Sequence, residues 1–286
     1  MTVCRIGMVT PRTEIPMCDH LAAGRCGAAL GAPVCLLDST RRPWWPQRGR
    51  ITVTSLGERL RHRSHTSFDQ AVRDAVLEGP GGEAELAVAL GDVPESRRVE
   101  IAAALGDARG DAGPAALRRI LEAPAQRDLT CAALLALAKR CATEATADLA
   151  SALASRDGVV KDYAMLGLAG AGDDTAWDEA FGRLKQLLRR PGPPATLNLR
   201  FLSVQSPVAA AICYLGRHLD GPGGHRTVRL VGELQDRWDY VGSGEKQWLA
   251  QVWPECTAGR NASAIPAPDG RRLQQWIRDP LFKPIF

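Results

Sequence analysis

The chain is poor in the residues that build sheets and in the motifs that mark catalysis. Aromatics make up only 5% of its 286 residues, although hydrophobic residues reach 45%. Its apolar content is therefore mostly Ala, Leu and Val, which suits close packing of helix on helix better than a sheet sandwich. Eight cysteines stand at positions 4, 18, 26, 35, 131, 141, 213 and 256, yet no CxxC occurs. That spacing fits neither a zinc ribbon nor a secreted disulfide framework, and it points to a reducing, cytoplasmic setting in which Cys131 and Cys141 serve as small buried hydrophobes. Long apolar runs are missing as well. The apolar stretch from Cys26 to Leu37 is too short to span a bilayer and begins too deep for an ordinary secretory signal.

Signatures of chemistry are equally sparse. There is no GxxxxGK[ST] and no GxSxG. Gly167, Gly170 and Gly172 resemble a phosphate loop only in spacing, and Gly242-Ser243-Gly244-Glu245-Lys246 shares the defect: neither follows a predicted strand. The first group reads as a repeat turn. Cys213, His218 and His225 are metal-ligand types, but five residues on a helix place Cys213 and His218 about 140° apart. A fourth ligand is also missing. Tyr214 and His218 share a face, for which a capping hydrogen bond suffices. No catalytic residue, cofactor or metal ligand is assigned.

Charge is unevenly placed. Residues 1–66 hold ten arginines against four acidic residues, so the net +4 of the whole chain is concentrated there and the remainder is slightly acidic. Nucleic-acid binding needs a positive footprint that displaces phosphate counterions, so the body is not expected to bind nucleic acid. The same leader is rich in Pro, Gly and Arg without sustained periodicity, and reads as disordered, with a short strand-like piece at Ile51–Thr54 and a Trp44-Trp45 pair set between prolines.

What the chain does have is a period. Leu105, Leu137 and Leu168 recur at 32 and 31 residues. Leu86, Leu117, Leu149 and Ala180 recur at 31, 32 and 31, and so do Leu90, Leu121, Leu153 and Leu184. Three columns in register across Glu83–Arg190 signal stacked supersecondary units. Each unit reads as two short helices: Glu83–Leu90 with Pro94–Leu105, Pro114–Leu121 with Asp128–Ala138 (Asp128 as N-cap), then Thr143–Leu153 with Val159–Leu168. A further first helix starts over Thr175–Arg189. Phe68, Val72, Ala75 and Val76 mark the second helix of an incomplete first unit, ended by a Gly79-Pro80-Gly81-Gly82 break. None of these helices is stable alone, so the Leu columns must be buried against neighbouring units.

With its Leu105-Gly106-Asp107 turn and Ala- and Leu-rich helices, the stretch resembles short HEAT-type repeats. It lacks the Thr-Pro-Leu-His of ankyrin and the aromatic pattern of tetratricopeptide repeats. The resemblance implies an all-α fold, a right-handed α-solenoid of about five HEAT-like helical hairpins. Three regions are expected: a leader over 1–66, regular repeats over 67–190, and an irregular part with an aromatic-rich cap over 191–286. Regularity lapses at Pro191-Gly192-Pro193-Pro194 and resumes over Pro207–Leu219, Thr227–Tyr240 and Glu245–Trp253. Trp238, Trp248, Trp253 and Trp276 then read as a seal on the last unit, since a solenoid end must cover an apolar face.

Function follows from the resemblance rather than from chemistry. Second helices of successive units line a shared surface in such solenoids, and alignment on the Leu105 column sets Arg98, Thr130 and Lys161 in one row and Glu100, Ala132 and Tyr163 in another. These rows are the candidate strip for an unidentified protein partner, and the expected role is a noncovalent, monomeric, cytoplasmic scaffold without membrane association. Enzymes of the same general architecture give the alternative. Metal-dependent HEAT hydroxylases carry His-Glu pairs, which this chain lacks. HEAT-like alkylpurine DNA glycosylases combine Asp and Trp on a basic face; Trp177-Asp178 and Trp238-Asp239 supply the residue types without the basic surround. Bilin lyases of short HEAT type are conceivable, but no residue here argues for them.

Overall fold

In the computed structural model, residues 55–123, 126–189, 206–257 and 261–273 are described. The Trp44-Trp45 pair, the Ile51–Thr54 strand, the Pro191 interruption and Trp276 lie outside the described residues. All described residues belong to one unit, Thr52–Phe286, and none of them is in a strand. No helix among them is long and apolar enough to cross a membrane.

Helices alternate with tight turns. The first, α1 (Leu56–Arg61), lies inside the stretch expected to be leader and opens on a capping box, Ser55 Oγ accepting from the Glu58 N–H at 3.3 Å and Glu58 accepting from the Ser55 N–H at 2.9 Å. It is followed by α2 (His65–Glu78) and α3 (Pro80–Asp92). The expected Gly79-Pro80-Gly81-Gly82 break is narrower than its composition suggests. Only Gly79 adopts a positive φ, of 82°, and Pro80 then occupies the first turn of α3, where its missing N–H costs nothing. Gly82 is already helical, and its lack of a Cβ lets α3 approach the Ala75 backbone of α2.

Then come α4 (Glu95–Leu105), α5 (Ala112–Glu122), α6 (Arg127–Cys141), α7 (Thr146–Ala152), α8 (Gly158–Ala171), α9 (Trp177–Leu187), α10 (Pro207–Arg217), α11 (His225–Asp236), α12 (Ser243–Val252) and the short α13 (Pro254–Thr257). Single 3₁₀ turns precede α7 and α9, and another, Trp238–Tyr240, ends the expected Thr227–Tyr240 helix early. Asp128 is not an N-cap: Gln126 holds that position, and Asp128 sits in the first turn of α6, where its charge favours the helix start. Pro94 caps α4 rather than entering it. Asp157 does cap α8, accepting from the Val159 N–H at 2.8 Å.

Packing follows the period. The even helices α2, α4, α6, α8 and α10 each touch the next of that series, α1, α3 and α5 do likewise, and α3–α4, α5–α6, α7–α8 and α9–α10 pair as hairpins. Leu105, Leu137 and Leu168 are fully buried, as are Leu86, Leu117, Leu149 and Ala180. The third column is less uniform: Leu153 and Leu184 are buried, whereas Leu90 and Leu121 are half-buried. Gly106 of the Leu-Gly-Asp turn is needed for contact, since a Cβ there would stand 3.0 Å from Ala136 Cα. Polar links between units keep the same spacing. Arg61 pairs with Asp92, Arg118 with Asp148, Arg127 with Asp157 and Lys139 with Asp107.

Candidate functional site

The two predicted rows separate in the structure. Arg98, Thr130 and Lys161 are half-exposed near the starts of α4, α6 and α8. Arg98 donates from Nε to the Val93 carbonyl at 3.1 Å, and Thr130 Oγ1 donates to Gln126 O at 3.1 Å. By contrast Glu100 is 7% exposed and Tyr163 2%, and Ala132 beside them is buried too. Two residues along a helix rotate a side chain by about 200°, so a row set two positions from an exposed one points inward. Glu100 and Tyr163 therefore belong to the interior and not to an exposed strip.

An open concavity lies elsewhere, between first helices. A trough of about 910 Å³ runs between α3 and α5. One wall carries Ala84, Ala87 and Gly91 of α3, the other Ala112 and Ala115 of α5 with Ala123 just past its end. Val88 in the same lining is 60% exposed, an uncommon position for a large apolar side chain. Arg98 of the predicted row closes one end, with Glu95 and Arg119.

How α3 and α5 are held together is visible at their starts. Glu83, 0% exposed, reaches from α3 to accept the Ala112 N–H at 3.2 Å, and Arg140 of α6 stands 3.8 Å from its other oxygen. Gly110 and Gly113 leave room for that carboxylate, since a Cβ on either would run into it. The two helix starts are thus tied through a polar link, while alanines further along leave the trough between them. Thr146 repeats the device two units on, its Oγ1 accepting the Asp173 N–H at 3.0 Å ahead of α9.

A second, polar cleft of about 810 Å³ is lined by Lys139, Ala142, Gly172, Arg217, His218 and Arg226 among others. Its cations are already engaged: Lys139 with Asp107, Arg217 Nη2 with the Leu168 and Gly172 carbonyls at 3.2 and 3.0 Å, Arg226 with Asp174 at 3.0 Å. His218 packs edge-on against Tyr214 with its Nε2 3.2 Å from Gly172 O. Burial, then the Arg217 charge, lowers its pKa below the ordinary 6.5. Cys213 points away from it and donates to Leu273 O at 3.0 Å, so the two do not converge on a metal. Among the described residues no cluster of three metal-ligating side chains occurs. Gly167 and Gly170 are helical residues of α8, and Gly172 caps it; no phosphate loop forms. Burial pushes the Cys131 and Cys256 thiols up to about 12, far from a nucleophile's range.

The tryptophans are mostly engaged in packing. Trp177 is buried, stacks on Phe181 at 5.1 Å and donates from Nε1 to Leu215 O at 3.3 Å. Arg226 and Arg229 of α11 lie over its ring, and Asp178 next to it pairs with Arg229. Trp248 and Trp253 are buried near the C-terminal end, Trp253 donating to Pro266 O at 2.9 Å, while Trp238 is half-buried beneath Lys246. No protein-family profile matches this chain, and no curated protein shows detectable similarity to it.

Proposed function

We propose that the protein is a noncovalent, cytoplasmic scaffold of HEAT-like hairpins stacked as an α-solenoid, and that it works by holding a protein partner. The observation that carries this reading is the alanine-walled trough between α3 and α5, an open apolar groove with Val88 exposed in it and arginines at one end. Hairpin pairing, the even-helix series and inter-unit ion pairs at the sequence period support the solenoid. A glycosylase reading draws no support from Trp177, whose ring is covered by two arginines and whose indole N–H is taken.

Two measurements test the proposal. The full chain, tagged and cross-linked in lysate of its own source, is expected to retain a stoichiometric protein partner that is lost on Val88→Asp. A shift assay on duplex DNA over a salt series is expected to show no binding; salt-sensitive binding with release of an alkylated base would sink the scaffold reading.

A further inference from the structure

The trough has a direction, and its direction specifies what fits. Glu83 at the start of α3 bonds the first N–H of α5, so the two helices begin side by side and run the same way. Their linings are helical stripes: Ala84, Ala87 and Gly91 on one wall, Ala112 and Ala115 on the other, with Ala123 just past the end of α5. From Ala112 to Ala123 is about 16 Å at 1.5 Å per residue, roughly three helical turns. Small residues recurring over that length beside Val88, Leu90 and Ile120 leave space for the larger Leu, Ile or Met side chains of an incoming helix, in the manner of grooves that seat amphipathic helices.

Electrostatics separates the two ends. At the end where α3 and α5 finish, both helices present the negative pole of their dipoles. Arg98 and Arg119 line the trough there. Arg119 is exposed, and its guanidinium makes no hydrogen bond or ion pair with another described residue. Glu95 is the acidic member of the lining, but it lies in the first turn of α4, whose positive pole offsets it. An incoming helix is best placed with its own N-terminus at this end. Its dipole then opposes those of α3 and α5, and acidic residues in its first turn, which favour that helix in any case, meet Arg98 and Arg119.

We infer that the trough binds an amphipathic helix of a partner protein, about three turns long, acidic in its first turn and antiparallel to α3 and α5. The inference rests on the scaffold reading and adds to it the class and orientation of the ligand. It also moves the binding surface from the predicted second-helix rows to the first-helix side, with Arg98 shared.

The test is selection from a phage library of helix-biased 16-residue peptides panned on the immobilised full chain, followed by anisotropy titration of the selected peptides. Enriched peptides are expected to carry large apolar residues at i, i+3 or i+4, and i+7 with Asp or Glu in the first turn. Ala115→Trp, which fills the trough from an exposed position, is expected to weaken them at least tenfold. Arg119→Glu should reverse the preference for an acidic over a basic first turn. Should Ala115→Trp unfold the chain by circular dichroism, Val88→Asp takes its place. Lack of enrichment, or enriched peptides indifferent to these substitutions, overturns the inference. A cross-linked natural partner whose binding survives Ala115→Trp would also overturn it while leaving the scaffold reading in place.

Discussion

Glu83 shows how a single buried side chain holds neighbouring units in register. A carboxylate with no exposure is costly to desolvate, and here the Ala112 N–H bonds one oxygen while the other accepts no hydrogen bond and has only the Arg140 guanidinium, 3.8 Å away, to offset its charge. Glu83→Ala removes the acceptor at the start of α5 and leaves Arg140 without its counterion, so a loss of about 3 kcal/mol is expected, read as a lower urea midpoint at unchanged slope. Glu83→Gln keeps an acceptor and should lose less. Gly113→Ala should approach the Glu83→Ala result, because its Cβ would displace the carboxylate. His218 gives the pH-dependent counterpart. Its pKa is lowered from 6.5 by burial and by Arg217, with Arg226 acting the same way and Asp174 and the Gly172 carbonyl opposing. The unfolded chain therefore binds the proton first, so stability is full above about pH 6.5 and declines as pH falls below it. Asp173 and Asp220 have pKa values lowered from 3.8, and their contributions are lost only in stronger acid. Melting curves from pH 7.5 to 5 should show this decline in the native chain and a flatter profile in His218→Gln.

Among the elements, turns carry the strain and the irregularity. Ala142, opening the 3₁₀ turn between α6 and α7, has φ 49°, and it is the one non-glycine residue at positive φ among the described residues. An L side chain is disfavoured there, so Ala142→Gly is expected to raise stability by roughly 1 kcal/mol, seen as a higher denaturant midpoint. That the position lines the polar cleft gives a second readout: if the strain serves binding there, the stabilised variant loses it. Helices and their pairing were legible in the sequence because burial of Leu105, Leu137 and Leu168 enforces the period at which they recur. Turn residues were less so. Gly79 to Gly82 looks like one break, yet only Gly79 is used for its backbone, while Gly82 serves contact with Ala75. The row of Glu100 and Tyr163 lies inward for a related reason: alignment on the leucine column set it beside Arg98, but rotation about the helix decides exposure. The trough was only faintly legible, since Ala84, Ala87, Ala112 and Ala115 look like any small core residues until no described residue proves to cover them. Part of the signal was present. Arg119 and Val88 among the alanines of the two stripes could have marked an exposed face.

At the scale of the molecule, the contact pattern sets how stability should be distributed. From α1 to α10, the substantial helix contacts join elements no more than two places apart. That contact pattern is the one expected of a line of units, each stabilised by its own packing and by its two neighbours. The interior helices α6 and α8 have an even-series neighbour on each side, whereas α2 has one. Amide exchange should therefore be slowest in α6 and α8 and quicken toward α1 and α2, spanning a range of opening energies instead of one global value. The arrangement also predicts how damage spreads. Leu137→Ala, at a fully buried site in α6, should cost 2–5 kcal/mol and accelerate exchange in α4, α5 and α8, which pack on it, before reaching α1. Between α9 and α11 the joint has a further component: Arg226 and Arg229 of α11 lie over Trp177 and pair with Asp174 and Asp178. Arg229→Ala should loosen α11 and leave protection in α4 and α6 unchanged. Equal acceleration of exchange in all helices by either substitution would show a single cooperative core, and would count against the line-of-units account.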